Sequence, residues 1–126
     1  MGLSVVVVES DPKLARSMVS DLSSDFHFTY LTCSGDELRQ RVASNQPQAV
    51  VLDMECSRLA DVRDLHHDFP SLPIVCTHRI PDEKLWIAAL DAGAIDVCPT
   101  TDVNHALHSI VRSMAVVEAA AAWSGG

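Results

Sequence analysis

Two unbroken apolar runs, Val5-Val6-Val7-Val8 and Ala49-Val50-Val51-Leu52, each end on an acid, Glu9 and Asp53. A strand with one wet face alternates apolar and polar residues. A strand that is apolar throughout needs both faces covered, as in a parallel sheet between two helix layers. In such sheets ligands sit outside the carboxyl ends of the strands, so Glu9 and Asp53 meet at the rim if their strands are neighbours.

The rest of the chain supplies the helix layers. Asp11-Pro12 gives a cap followed by proline at the first helical position and starts a helix to about Ser23. Phe28 to Thr32 is a weaker strand. Ser34-Gly35-Asp36-Glu37 matches a capping box, with Ser34 as cap and Glu37 reaching back, and opens a helix to about Ser44. After strand Ala49 to Asp53, a helix from about Ser57 to Asp68 carries Leu59, Val62 and Leu65 at helical spacing. Pro70-Ser71-Leu72-Pro73 stops it before strand Ile74 to Thr77. Asp82 to Ala92 is a helix ended by Gly93, Ile95 to Cys98 a short strand, and about Asp102 to Trp123 a long helix. Five βα units with short connections demand parallel strands and right-handed crossovers. The expected architecture is an α/β doubly wound sheet of order 2-1-3-4-5, with the first and third strands side by side at the switch point.

Length and composition narrow the function. The 126 residues suit a single domain, with a core of about 4–115 and a helical extension and flexible end over 116–126. No apolar stretch is long enough to span a bilayer, and Met1-Gly2-Leu3-Ser4 runs straight into the first strand without a signal peptide, so no membrane is expected and the location is cytoplasmic. A formal charge of −8 repels a phosphate backbone, which argues against direct nucleic-acid binding and suits a cationic partner or a metal. Cys33, Cys56, Cys76 and Cys98 form no C-x-x-C pair and read as small hydrophobes in a reducing compartment. Cys56 lies close to Asp53, but nothing in the sequence argues for a lowered thiol pKa.

Over nearly its full length the chain resembles a response-regulator receiver domain of bacterial two-component signalling. The resemblance rests on Val5 to Pro12, on Pro47-Gln48-Ala49-Val50-Val51-Leu52-Asp53, on Leu72-Pro73-Ile74-Val75 and on Ala89-Leu90-Asp91-Ala92-Gly93-Ala94. It implies a flavodoxin-like (βα)5 fold and a signalling module that acts by protein contact rather than as an enzyme. Asp53 matches the aspartate that accepts a phosphoryl group from a kinase phosphohistidine. Glu9, Asp53 and the backbone carbonyl of Glu55 match the positions that hold Mg2+. The implied partners are a histidine kinase or phosphotransfer protein and an attached or separate effector domain, with a homodimer also open.

The departures from that pattern are specific. Ser10 stands where the resemblance implies a second acid, and Asp11 is better explained as the helix cap. Thr100, seven positions beyond Gly93, stands where a lysine is implied, with Thr101 in place of the following proline. The phosphate-binding hydroxyl is implied five residues after Pro73 and fifteen before Gly93, and both spacings land on His78, with Thr77 one residue early. Neighbouring strand residues point to opposite faces, so only one of the two addresses the site unless the strand ends between them, and the spacing favours His78. Arg79 stands where a small residue is implied. The segment between Asp53 and the third helix is about three residues short of the resemblance and lacks its proline-containing loop. Two carboxylates against a divalent ion preserve the neutrality of three carboxylates against an ion and a lysine, but with weaker Mg2+ binding expected. The alternative is that His78 or Arg79 pairs with Asp53 and replaces the metal, leaving a phosphorylation-independent module.

The face built by the fourth helix, fifth strand and fifth helix is the partner surface the resemblance implies, with Trp86, Val97, His105 and His108 as its candidates. Trp86 serves equally as core filler. His105 and His108 lie off the stripe Val103-Leu107-Ile110-Met114-Val117 and share an outward, solvated face with Arg112. His66-His67 read as incidental. The apolar tail Val116 to Trp123 suits a dimer contact or an output domain, although alanine's helix propensity alone explains it. The rival class is a small flavodoxin-like enzyme or ligand-binding domain. A phosphatase of that kind needs a nucleophilic aspartate where Glu9 stands, and a nucleotide or flavin site needs a phosphate loop that Pro12 and Lys13 do not provide.

Overall fold

The computed structural model describes the backbone of residues 3–124 and the side chains of residues 3–114. Its strands are β1 Ser4–Val8, β2 Phe28–Thr32, β3 Ala49–Asp53, β4 Ile74–His78 and β5 Asp96–Pro99. Its α-helices are α1 Pro12–Leu22, α2 Leu38–Asn45, α3 Leu59–Asp68, α4 Glu83–Ala92 and α5 Val103–Ser124. The strands form one parallel sheet in the order β2-β1-β3-β4-β5, as the pattern predicts.

Alternation along the strands divides the core into two layers. Val6, Val8, Val50, Leu52, Ile74, Cys76 and Val97 pack under α2, α3 and α4, against Leu38, Val42, Val62, Leu65, Ala89 and Ala92. Val5, Val7, Ala49, Val51, Val75 and Cys98 pack under α1 and α5, against Met18, Leu22, Ala106 and Ile110. The unbroken apolar runs Val5 to Val8 in β1 and Ala49 to Leu52 in β3 follow from this double coverage, since every residue of both strands is buried. Val97 belongs to the first layer at 6% exposure, which removes it from the partner surface expected of it. It is the register partner of Cys76 and so faces inward.

Helix ends follow local chemistry with one exception. Asp11 caps α1, its Oδ1 accepting from the N–H groups of Lys13 at 2.9 Å and Leu14 at 3.4 Å, with Pro12 in the first turn. Asp82 caps α4 through Leu85 N–H at 2.8 Å. Gly93 ends α4 at φ 120°, and a Cβ there would lie 2.4 Å from His66 Cγ. That contact gives His66 of α3 a packing role the sequence did not suggest.

The exception is the expected capping box at Ser34. Ser34 is extended and makes no side-chain cap, Gly35–Glu37 form a 3-10 turn, and α2 begins only at Leu38. Gly35 lies so close to α3 that a Cβ there would meet the Asp61 carboxylate at 2.4 Å. Asp61 in turn accepts from Arg58 N–H at 2.8 Å and closes the first turn of α3, which starts at Leu59 rather than Ser57. The side chains of the tail beyond Met114, including Val117, and residues 125–126 lie outside the described residues, so the dimer or output role expected of Val116 to Trp123 has no counterpart here.

Candidate functional site

The carboxyl ends of β1, β3, β4 and β5 converge on one rim. β1 and β3 are adjacent, with Val8 opposite Leu52, so Glu9 and Asp53 each stand one residue beyond that pair. Both are only 2% exposed. Asp53 is the register partner of Thr77, and Thr77 of Cys98, so Asp53 and Thr77 fall on the α1/α5 face of the sheet, and Thr100 follows directly on the end of β5.

The polar groups on this rim are incompletely satisfied. Glu9 Oε1 accepts from Asp11 N–H at 3.1 Å, and Asp53 Oδ1 accepts from Glu55 N–H at 3.1 Å. Glu9 Oε2, Thr77 Oγ1 and Thr100 Oγ1 are buried without a partner. A buried polar atom left unpaired costs about 1–3 kcal/mol, so three of them at one rim mark a place built for something other than packing. With no donor near Glu9 Oε2, the hydrogen bond open to it is one it donates, protonated, to Asp53. Burial, that hydrogen bond and the neighbouring Asp53 charge push the Glu9 carboxyl up to about 8. Two buried acids side by side require either a shared proton or a cation.

The residues present fit a hard cation of modest affinity. Among the described residues no group of three His, Cys, Asp or Glu side chains forms a metal cage. Magnesium, however, keeps several waters and is commonly held by one or two carboxylates. Glu9 and Asp53 supply those, and the open Oε2 is a free ligand position.

Arg79 is the cation at the mouth, and its partners are not those anticipated. Its Nη2 lies 3.4 Å from Asp11 Oδ2 and its Nε 3.3 Å from Glu55 Oε2, while its backbone N–H donates to Glu55 Oε1 at 2.9 Å. It therefore ties together the loops after β1, β3 and β4, and does not replace the metal by pairing with Asp53. The Glu55 side chain is the site residue that sequence reasoning missed. Its only signal was an acid two positions past Asp53, on the residue singled out for its carbonyl.

The spacing that favoured His78 is corrected by the strand. Thr77 is the register partner of Asp53 and shares its face, and because β4 runs one residue further than predicted, His78 is still in the strand and points the other way. The His78 ring accepts instead from Ile80 N–H at 3.1 Å. Ser10 is exposed on the loop after β1. The Cys56 thiol, which donates to Asp53 carbonyl at 3.5 Å, is pushed up by burial and by the Asp53 charge, the opposite of an activated thiol.

On the neighbouring face Trp86 and Ile87 of α4 are 47% and 49% exposed. His105, read as simply solvated, bonds Asp96 through Nε2 at 2.9 Å, and Ser109 Oγ donates to the same Asp96 oxygen at 2.5 Å. Burial raises the Asp96 carboxyl, but the hydrogen bonds from Ser109, Val97 N–H and His105 outweigh it and hold the group below its ordinary value. His108 is exposed.

No protein-family profile matches the chain. Among curated proteins, the response regulator MprA of Mycobacterium sp. (strain KMS) is 32% identical over 102 residues, which cover 79% of this chain and 44% of that protein. The chain thus spans less than half the length of the curated relatives it matches. Among solved structures, the BeF3-activated N-terminal receiver domain of Klebsiella pneumoniae RstA superposes with a TM-score of 0.75 at 24% identity, covering 86% of this chain and 95% of that one. NtrX from Brucella abortus gives a TM-score of 0.81 at 21% identity, covering 95% of this chain and 30% of that one.

Proposed function

Because the chain belongs to the response-regulator receiver domains, we propose that it is a phosphoryl-accepting signalling module of atypical site chemistry, with Asp53 as acceptor. The observation that carries the reading is Asp53 itself, buried at the switch point beside Glu9, with the unpartnered Thr77 hydroxyl on the neighbouring strand. Asp53 Oδ1 is occupied by Glu55 N–H, which leaves Oδ2 to attack phosphorus. The P–O bond forms as the bond from phosphorus to the donor breaks, and the donor leaves with that electron pair. The rim then presents a hydroxyl to the phosphoryl oxygens, with Thr77 Oγ1 on the strand beside Asp53 as the donor.

Glu9, Asp53 and the Glu55 carbonyl would hold Mg2+, which when bound neutralises charge on the transferring group. The protein's own contribution is placement: the β3 register fixes Asp53, and the Asp11 N–H fixes Glu9 beside it. The donor is a histidine kinase or phosphotransfer protein, and the output is contact through the α4 face that exposes Trp86 and Ile87, to an attached or separate effector or a second copy. Catalysis of an independent reaction is not part of this reading. Among the described residues no helix is long and apolar enough to cross a membrane; a cytoplasmic site of action is part of the proposal.

Acetyl phosphate with Mg2+, read by intact mass against Asp53→Asn, tests the reading. One phosphoryl group per chain is expected, lost in the variant. No mass gain at millimolar Mg2+ would leave a phosphorylation-independent contact module held by its shared proton.

A further inference from the structure

Arg79 is the only side-chain cation hydrogen-bonded across the rim of the acceptor pocket among the described residues, and it is bound to the wrong acids for a static role at Asp53. Its contacts to Asp11 and Glu55, at 3.4 and 3.3 Å, are long for charge-assisted hydrogen bonds, and the side chain is 61% exposed. Exposed pairs of this kind are weak and exchange readily with water. Thr100, where a lysine is implied, offers the pocket no charge.

Converting the Asp53 carboxylate to an acyl phosphate replaces one negative charge with about two and adds three strong acceptor oxygens. A guanidinium matches such oxygens in two parallel hydrogen bonds, which neither Asp11 nor Glu55 provides in this arrangement. Arg79 also sits on the segment that leads into α4. Asp82 caps that helix, and Trp86 N–H donates to Asp82 carbonyl at 3.0 Å, so Trp86 lies one turn beyond the loop that Arg79 anchors.

Resting on the phosphoryl-acceptor reading above, we propose that Arg79 is the exchangeable cation of the site. In the unmodified chain it clasps Asp11 and Glu55 and ties down the β4–α4 loop. When Asp53 is phosphorylated the guanidinium passes to the phosphoryl oxygens, releases Glu55, and carries the start of α4 with it. The missing lysine is thus supplied from a different strand end, and the group that neutralises the phosphate is also the one that moves the partner face. Arg79 acts here as a phosphoryl ligand, with Glu55 as its resting partner.

The test uses acetyl phosphate as donor, whose P–O bond to acetate breaks as acetate leaves, and follows the initial rate of mass gain in Arg79→Ala, Arg79→Lys and Glu55→Gln. Arg79→Ala is expected to slow it about tenfold or more, with Arg79→Lys between it and the wild type. Glu55→Gln keeps that residue's backbone groups but weakens the side-chain clasp and frees Arg79, so its rate rises, and a rate at or below wild type overturns the proposal. Loss of rate in both Arg79→Ala and Glu55→Gln means that the clasp merely holds the loops, and overturns the proposal. Equal rates in Arg79→Ala and wild type overturn it too, while leaving Asp53 as acceptor. A wild type that takes no phosphoryl group removes the underlying reading, and the proposal with it. As a second readout, beryllofluoride with Mg2+ changes Trp86 fluorescence in a Trp123→Phe background and leaves it unchanged once Arg79→Ala is added. A change that persists without Arg79 refutes the coupling to α4.

Discussion

Glu9→Gln isolates the shared proton of the acid pair. In the folded chain burial and the adjacent Asp53 hold the Glu9 carboxyl protonated up to about 8, against 4.5 when unperturbed. The folded state therefore keeps a proton that the unfolded state releases. The stabilisation is fully present below pH 4.5 and is lost as pH rises through 8. At about 1.4 kcal/mol per pH unit, the full window is worth at most about 5 kcal/mol, and the stretch from pH 6 to pH 8 about 2–3 kcal/mol. Glutamine keeps the acceptor for Asp11 N–H and donates permanently to Asp53, so it removes the titration without removing the hydrogen bonds. Thermal melts should show the wild type falling by roughly 6–18 °C more than Glu9→Gln between pH 6 and pH 8, at about 3–6 °C per kcal/mol for a chain of this size. Magnesium bound at the pair would displace the proton, so it should restore wild-type stability more at pH 8 than at pH 6, and restore Glu9→Gln less at either. Identical pH slopes in the two proteins, with and without Mg2+, would refute a proton shared between Glu9 and Asp53.

Three further outcomes are accessible with the same melts and simple labelling. Thr77→Val and Thr100→Val remove buried hydroxyls that have no partner, so stability should hold or rise by up to about 1 kcal/mol while phosphoryl uptake falls; a clear loss of stability would show that the hydroxyls are already satisfied. Gly93→Ala places a Cβ 2.4 Å from His66 Cγ at φ 120°, and should cost about 1 kcal/mol or more, with only partial recovery in a His66→Ala background because the backbone strain remains. Cys33 is exposed, whereas burial pushes the Cys76 and Cys98 thiols up to about 12, so thiol reagents should label Cys33 in the native protein and the other two only on unfolding. Rapid native labelling of Cys76 would mean that β4 opens far more easily than its burial suggests.

Much of the layer arrangement was written in local pattern. Val5 to Val8 and Ala49 to Leu52 had to be doubly covered strands because neither alternates, and Asp11-Pro12 and Asp82 announced helix starts that the caps at Lys13 and Leu85 N–H realise. Ser34 shows where local pattern fails. Its sequence satisfies a capping box, yet the close seat of Gly35 on Asp61 tightens the turn into 3-10 geometry and the cap is never made. Asp61 and Ser34 are far apart in sequence, so no window of neighbouring residues contains that conflict.

The acid pair and the sheet order belonged to the sequence, because strand period, connection length and chain chirality leave few ways to arrange five βα units. The contacts that give the rim its chemistry did not. Whether Thr77 or His78 faces Asp53 is set by the β3–β4 register, which pairs Asp53 with Thr77, and a period of two puts the next residue on the opposite face. Val97 turns inward for the same reason. Arg79 meets Asp11 from 68 positions away and Glu55 from 24, a pairing set by which loops lie over the same sheet edge. Local pattern decides what each segment becomes, whereas the meeting of charges across loops depends on distances that exist only after the sheet has closed.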